Sequence, residues 1–117
     1  MINLKNLDSS EPQAVFDFIY NHLKTQCAVS EDKSGSCVYR GPNGLKCAAG
    51  CLIADDEYTR NIEHQSWSDV ADYYKIRNHE YMISKFQGIH DGHDYPSGPW
   101  VNSVKSLAQQ LDLTFTE

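Results

Sequence analysis

The sequence predicts an α+β fold, mainly α, in which three longer helices accompany a small β-hairpin that leads into a short helix. All of it falls in a single domain, residues 1–117. Three observations predict this. Apolar residues recur at helical spacing in three stretches separated by polar breaks. Between the first and second stretches lies "CVYRGPNGLK", a β-prone arm, a strong turn signal and a return arm. No repeat, low-complexity run or long linker divides the chain, and 117 residues suit one core.

The first helix is read from "SSEPQAVFDFIYNHLKTQC". Ser10 is its expected N-cap, Gln13 completes a capping box, and Glu11 and Pro12 suit the first turn. Phe16, Ile19, Tyr20, Leu23 and Cys27 form its core face. "SEDKSGS" is a polar break, followed by the hairpin "CVYR", "GPNG" and "LK". "CAAGCLIA" then reads as a short helix whose Ala48, Ala49 and Gly50 allow close approach to a neighbour. "DDEYTRNIEHQ" is a loop, and "SWSDVADYY" a helical turn or two capped by Ser66 or Ser68. "RNHEYMISKFQGIHD" is the second clear helix, with Met82, Ile83, Phe86, Ile89 and His90 on one face. After "GHDYPSGP", "WVNSVKSLAQQL" is the third, capped by Ser97, with Trp100, Val104, Leu107, Ala108 and Leu111 on its stripe. The tail lays Leu113 and Phe115 against the core.

Charge narrows the function classes. Sixteen acidic against ten basic residues give a net charge of −6. A nucleic-acid partner is not expected, because phosphate backbones need a basic face. One small anion remains compatible, since it needs only one or two cations. No basic N-terminal segment precedes an apolar run, and no apolar stretch reaches the ~18 residues of a membrane span. The expected location is the cytoplasm, where four cysteines stay reduced unless they bind metal or react.

Five constellations carry possible chemistry. Cys47 and Cys51, four apart, share a face if helical, and Cys37 lies across the hairpin. With His90 they would make a Cys₃His zinc site; otherwise they are small core residues, and the spacing lacks a tight Cys-x₂-Cys knuckle. Cys47 near a helix N-terminus could be a nucleophile with His90 or His64 as base. Asp91 is a poor orienter, because adjacent helical residues do not face each other. His90, Asp91, His93 and Asp94 could bind a metal, but Gly92 looks like a helix-ending glycine, and His90 falls on the apolar stripe as a structural histidine would. Arg40, Gly44 and Lys46, with Tyr39 beside them, flank the turn entering the short helix and could hold a phosphate. Alternatively Arg40 pairs with Asp55, Asp56 or Glu57 and pins the hairpin. Finally, Tyr73, Tyr74 and Tyr95 lie in polar stretches and could build a partner-binding surface.

Two segments resemble small phage and prophage proteins. "CVYRGPNGLKCAAGCLIADDEY" is similar to their Cys-x-Tyr-Arg, Gly turn and Cys-Ala-x-Gly-x-Leu-Ile with an acidic exit, on Cys37, Tyr39, Arg40, Gly44, Cys47, Ala48 and Gly50. "KFQGIHDGHDYPSGPWVNSVKSLAQQLDL" is similar to their Leu-Gln-x-Ile-His-Asp, Trp and final helix, on Gln87, Ile89, His90, Asp91 and Trp100. Phe86 replaces the usual Leu, and Ala54 stands where Pro is common. The resemblance implies an accessory protein acting inside a bacterium and carries no activity to transfer. The expected function is non-catalytic: modulation of a host or defence component by binding a protein or a small phosphorylated ligand, with homo-oligomerisation open. The alternatives are a small enzyme using Cys47 with His90, and a zinc-stabilised module.

Overall fold

The computed structural model describes residues 2–26, 30–31, 33, 38–92 and 98–116, without the side chains of residues 91, 92, 98 and 99. Cys27, Cys37, His93, Asp94, Tyr95, Ser97 and the Asp91 side chain lie outside the described residues.

Four helices carry the fold: α1 (Pro12–Gln26), α2 (Trp67–Tyr74), α3 (Glu80–Gly92) and α4 (Gly98–Gln110). Apolar side chains at three- and four-residue spacing give each a face to bury. On α1 that face is Val15, Phe16, Ile19, Tyr20 and Leu23. α3 is central: it packs against α1, α2 and α4. The Phe16 ring meets Phe86 of α3 at 5.1 Å, and Tyr20 stacks on Trp100 of α4 at 5.7 Å and 18°. Phe115 of the tail closes over both, edge-on to Tyr20 and to Phe16. Burying each such ring or branched chain contributes roughly 1.5–3 kcal/mol.

Local chemistry sets the helix ends. The Ser66 hydroxyl accepts from the Asp69 amide at the start of α2, and Lys75, in the left-handed region at φ 60°, ends it. The Asp8 carboxylate accepts from the Arg77 and Asn78 amides and ties the N-terminal turns to the α2–α3 connection. Two glutamines fasten distant backbone to the two ends of α1. The Gln13 amide donates to the Thr114 carbonyl and accepts from the Thr114 N–H. Gln26 does the same with the carbonyl and N–H of Lys46.

Three expectations are corrected. The β-hairpin is not formed: among the described residues there is no strand, and the two arms meet in an isolated antiparallel bridge between Arg40 and Lys46. The "PNG" turn is there, with Asn43 and Gly44 at φ 59° and 78°. However, the ladder stops at that bridge, because the Tyr39 N–H that would continue it goes to the Glu63 carboxylate. On the outer side of the arms Gln26 takes both polar groups of Lys46, and Glu63 takes the Arg40 N–H. The fold class is therefore a small four-helix protein rather than α+β. The short helix at "CAAGCLIA" is a single 3₁₀ turn, Gly50–Leu52. Its Gly50 fits because the Tyr39 carbonyl comes so close that a Cβ would sit 2.3 Å from that oxygen. Lastly, the capping box is not used. The Ser10 hydroxyl donates to the Asn6 carbonyl, and Gln13 is engaged by Thr114.

Candidate functional site

The stretch from 38 to 65 lacks regular secondary structure beyond isolated turns, so its order comes from buried apolar residues such as Leu52, Ile53 and Ile62 and from side chains that reach backbone. The Glu63 carboxylate accepts from the Tyr39 N–H at 2.7 Å, from the Arg40 N–H at 3.2 Å and from the Tyr58 hydroxyl. Burial, and then the carboxylate beside it, push the Tyr58 hydroxyl up to about 12, so it stays a donor. Tyr39 is itself buried, and its hydroxyl donates to the Gln65 carbonyl at 2.8 Å.

Arg40 leaves this frame toward the surface. Its guanidinium lies over the Tyr58 ring at 4.8 Å, Nη2 donates to the Ile53 carbonyl at 2.6 Å, and Nη1 meets the Asp55 carboxylate at 2.6 Å. Of the other acidic candidates, Asp56 pairs with Lys5 and Glu57 accepts from the Leu4 and Ala54 amides. The hydrogen bond from Arg40, with the charges of Arg40 and Lys46 behind it, holds the Asp55 carboxyl below the usual carboxylate range.

Gly44, Lys46 and Cys51 line one cleft of about 530 Å³ between the 44–55 loop and the face of α1 that carries Phe18 and His22. Sequence reasoning passed over His22. Its Nε2 hydrogen-bonds the Lys46 carbonyl at 3.0 Å, and burial keeps its pKa low. The signal available was the i, i+4 pair His22 and Gln26, two polar side chains on one flank of α1. Tyr39 does not line this cleft; it lines a separate one with Trp67 and Gln87. Nor does the 3₁₀ turn offer N–H groups to an anion. The amides of Ala49, Gly50, Cys51 and Leu52 bond the Gln87 side chain, the Cys47 sulfur, the Cys47 carbonyl and the Ala49 carbonyl.

Cys47, Cys51 and His90 are each engaged by backbone hydrogen bonds. Cys47 is 1% exposed, and its sulfur accepts from the Gly50 N–H. The Cys51 thiol donates to the Ala48 carbonyl at 3.0 Å, and burial pushes its pKa up. His90 is 0% exposed; its Nε2 accepts from the Ser30 N–H at 3.2 Å, and burial lowers its pKa to about 4. That hydrogen bond requires the neutral ring. Among the described residues no group of three or more His, Cys, Asp or Glu is placed to hold a metal ion; Cys37 lies outside them. His64 is exposed, at φ 65°.

On α2, Tyr73 is 61% exposed and its ring stands edge-on to Tyr74 at 4.9 Å. Tyr74 is anchored by its hydroxyl, which donates to the Glu57 carbonyl at 2.6 Å. Tyr81 of α3 is the other large exposed ring among the described residues. No helix among the described residues is long and apolar enough to cross a membrane. Compared with protein-family models, curated proteins and solved structures, the chain has no match.

Proposed function

We propose that the chain is a binding protein, a small phage-encoded accessory protein that modulates a host or defence component in the bacterial cytoplasm by protein–protein contact. The observation that carries this reading is the α2 aromatic pair. Tyr73 offers a large exposed ring already fixed by Tyr74, so little rotamer freedom is lost when a partner covers it. Asp69 and Asp72 are exposed on the same helix, and the chain carries −6 overall. The complementary partner presents a pocket for the ring with basic residues around it. The bacterial setting rests on the resemblance of segments 37–58 and 85–113 to phage and prophage proteins.

The non-catalytic part of the reading rests on the reactive candidates. A nucleophilic Cys47 needs an ionised, accessible sulfur and a base. Cys47 is buried, and the basic nitrogen of His90 is occupied by the Ser30 N–H.

The test is capture of a host protein on the immobilised chain, identification of that protein, and titration of the purified pair. Tyr73→Ala is expected to weaken the complex at least tenfold, as loss of a hot-spot ring does, and to change stability by no more than ~0.5 kcal/mol. Equal affinity for Tyr73→Ala and wild type would remove the basis of the reading. Recovery of a phosphorylated small molecule, with no protein, would replace a protein partner by a small ligand.

A further inference from the structure

The cleft between α1 and the 44–55 loop brings one cation, Lys46, and one carboxylate, Asp55, into a single lining. Lys46 lines it, half-buried, and among the described residues its ammonium has no carboxylate partner. The one carboxylate among the lining residues is Asp55. Its side chain is 89% exposed, whereas that of its partner Arg40 is 20% exposed. Arg40 is fixed independently of Asp55 by the Ile53 carbonyl and the Tyr58 ring, and its buried Nε has no partner among the described residues. The cation is thus built in, while the carboxylate that meets it is free to swing into solvent. Both Arg40 and Lys46 act on that carboxylate.

We infer that this cleft binds a small molecule carrying an oxyanion, phosphate or carboxylate, and that the Asp55 side chain occupies the oxyanion position until the ligand displaces it. Arg40 Nη1 and the Lys46 ammonium then flank the incoming oxyanion, one as a directed donor and the other as a mobile charge. The rest of the ligand is apolar. Ile2, Phe18 and Ile53 line the cleft with Lys46, Arg40 lies behind Asp55 rather than in the lining, and about 530 Å³ suits a compact organic molecule rather than a bare ion. His22 contributes an aromatic wall and no charge, since burial keeps its ring neutral and its Nε2 is bonded to the Lys46 carbonyl. Asp55 acts as a gate: it keeps weak anions out and sets the affinity of the right one. Tyr73 does not line the cleft.

The experiment is titration of the full chain with phenyl phosphate, inorganic phosphate and benzoate, followed by calorimetry and by the amide resonances of Gly44, Lys46, Cys51 and Asp55. Phenyl phosphate is expected to shift those resonances. Asp55→Asn is expected to tighten it by about tenfold, the worth of one charge-assisted hydrogen bond no longer contested. Lys46→Gln is expected to weaken it by a similar factor with an unchanged melting temperature, and Tyr73→Ala to leave it unaltered. Benzoate binding on a par with phenyl phosphate assigns the natural ligand a carboxylate, and weaker benzoate binding a phosphate. Inorganic phosphate binding as tightly as phenyl phosphate overturns the apolar part of the inference. Asp55→Asn binding no tighter than wild type overturns the gate. Lys46→Gln binding as tightly as wild type overturns the site, and does so even if Asp55→Asn fails to fold.

Discussion

The helical part of the molecule and the segment from 38 to 65 share one apolar core but differ in what is added to it. In the first, α1, α3 and α4 share one apolar interior of Phe16, Tyr20, Phe86, Trp100 and Val104. Each contact there is non-directional, and the total is spread over many side chains. The second contributes Ala48, Ala49, Leu52, Ile53 and Ile62 to that interior, and side chains also hold its backbone: Glu63 gathers three donors, Gln26 both polar groups of Lys46, and the Ile53 carbonyl the Arg40 guanidinium. Directional bonds fix positions more sharply than packing does, and the loss of one acceptor strands several donors at once. The cleft and its cations lie in the second region, where placement matters most.

The comparison can be broken at its strongest point first. Trp100→Ala removes a buried ring stacked on Tyr20 and is expected to cost ~3–5 kcal/mol, read from denaturant unfolding. A loss below about 1 kcal/mol would mean that the helical interior is not where stability resides.

His90 tests the seam between the two regions, because a ring on α3 accepts from the Ser30 backbone. Its folded-state pKa, near 4, lies below the ordinary value of 6.5, so the unfolded chain takes up the proton first. The neutral-ring contribution is fully present above pH 6.5 and is lost as pH falls through that value toward 4. The loss approaches about 3 kcal/mol. His22, also lowered, adds in the same direction. Melting curves between pH 7 and 4 are expected to flatten in His90→Gln relative to wild type; an equally steep fall would assign the effect to other groups.

Gly50→Ala probes the contact between the 3₁₀ turn and Tyr39. A Cβ would meet a backbone oxygen at 2.3 Å, which no rotamer change relieves, and the expected cost is ~2–3 kcal/mol by thermal melt. Full stability in that variant would show that the 38–65 segment adjusts as freely as a surface loop. The smallest effect belongs to Glu63→Gln, which keeps the shape and sets an amide N–H against one of three donors. A loss of ~1–2 kcal/mol is expected, with the tyrosine absorbance titrating at lower pH once the charge beside Tyr58 is gone. An unmoved tyrosine titration would separate Tyr58 from Glu63.

The same division explains what the sequence disclosed. The stripes of α1, α3 and α4 were legible because helical spacing is a local signal; Ser66 was one of two caps it offered, and Phe115 packs against the core as expected. The glycine at 50 was legible as a close approach, although its neighbour was not. The hairpin failed because the group that takes the Tyr39 N–H from its ladder, Glu63, lies 24 residues away. Nothing in "CVYRGPNGLK" encodes it. In the cleft, Gly44 and Lys46 could be paired from the turn alone, whereas His22, Phe18 and Ile2 join only through the docking of α1. The Arg40 and Asp55 pair could be named as one option among three acidic neighbours, but choosing it requires the path of residues 53–55.

An extended segment with a bare edge is a template on which other chains can grow, and small proteins commonly guard such edges with lysines, prolines or bulges. The Gln26 amide achieves this differently. By covering the N–H and the carbonyl of Lys46, it occupies the two groups that a foreign strand would copy. A truncated hairpin closed by a helix side chain has less to offer an aggregating neighbour than the full hairpin it replaces.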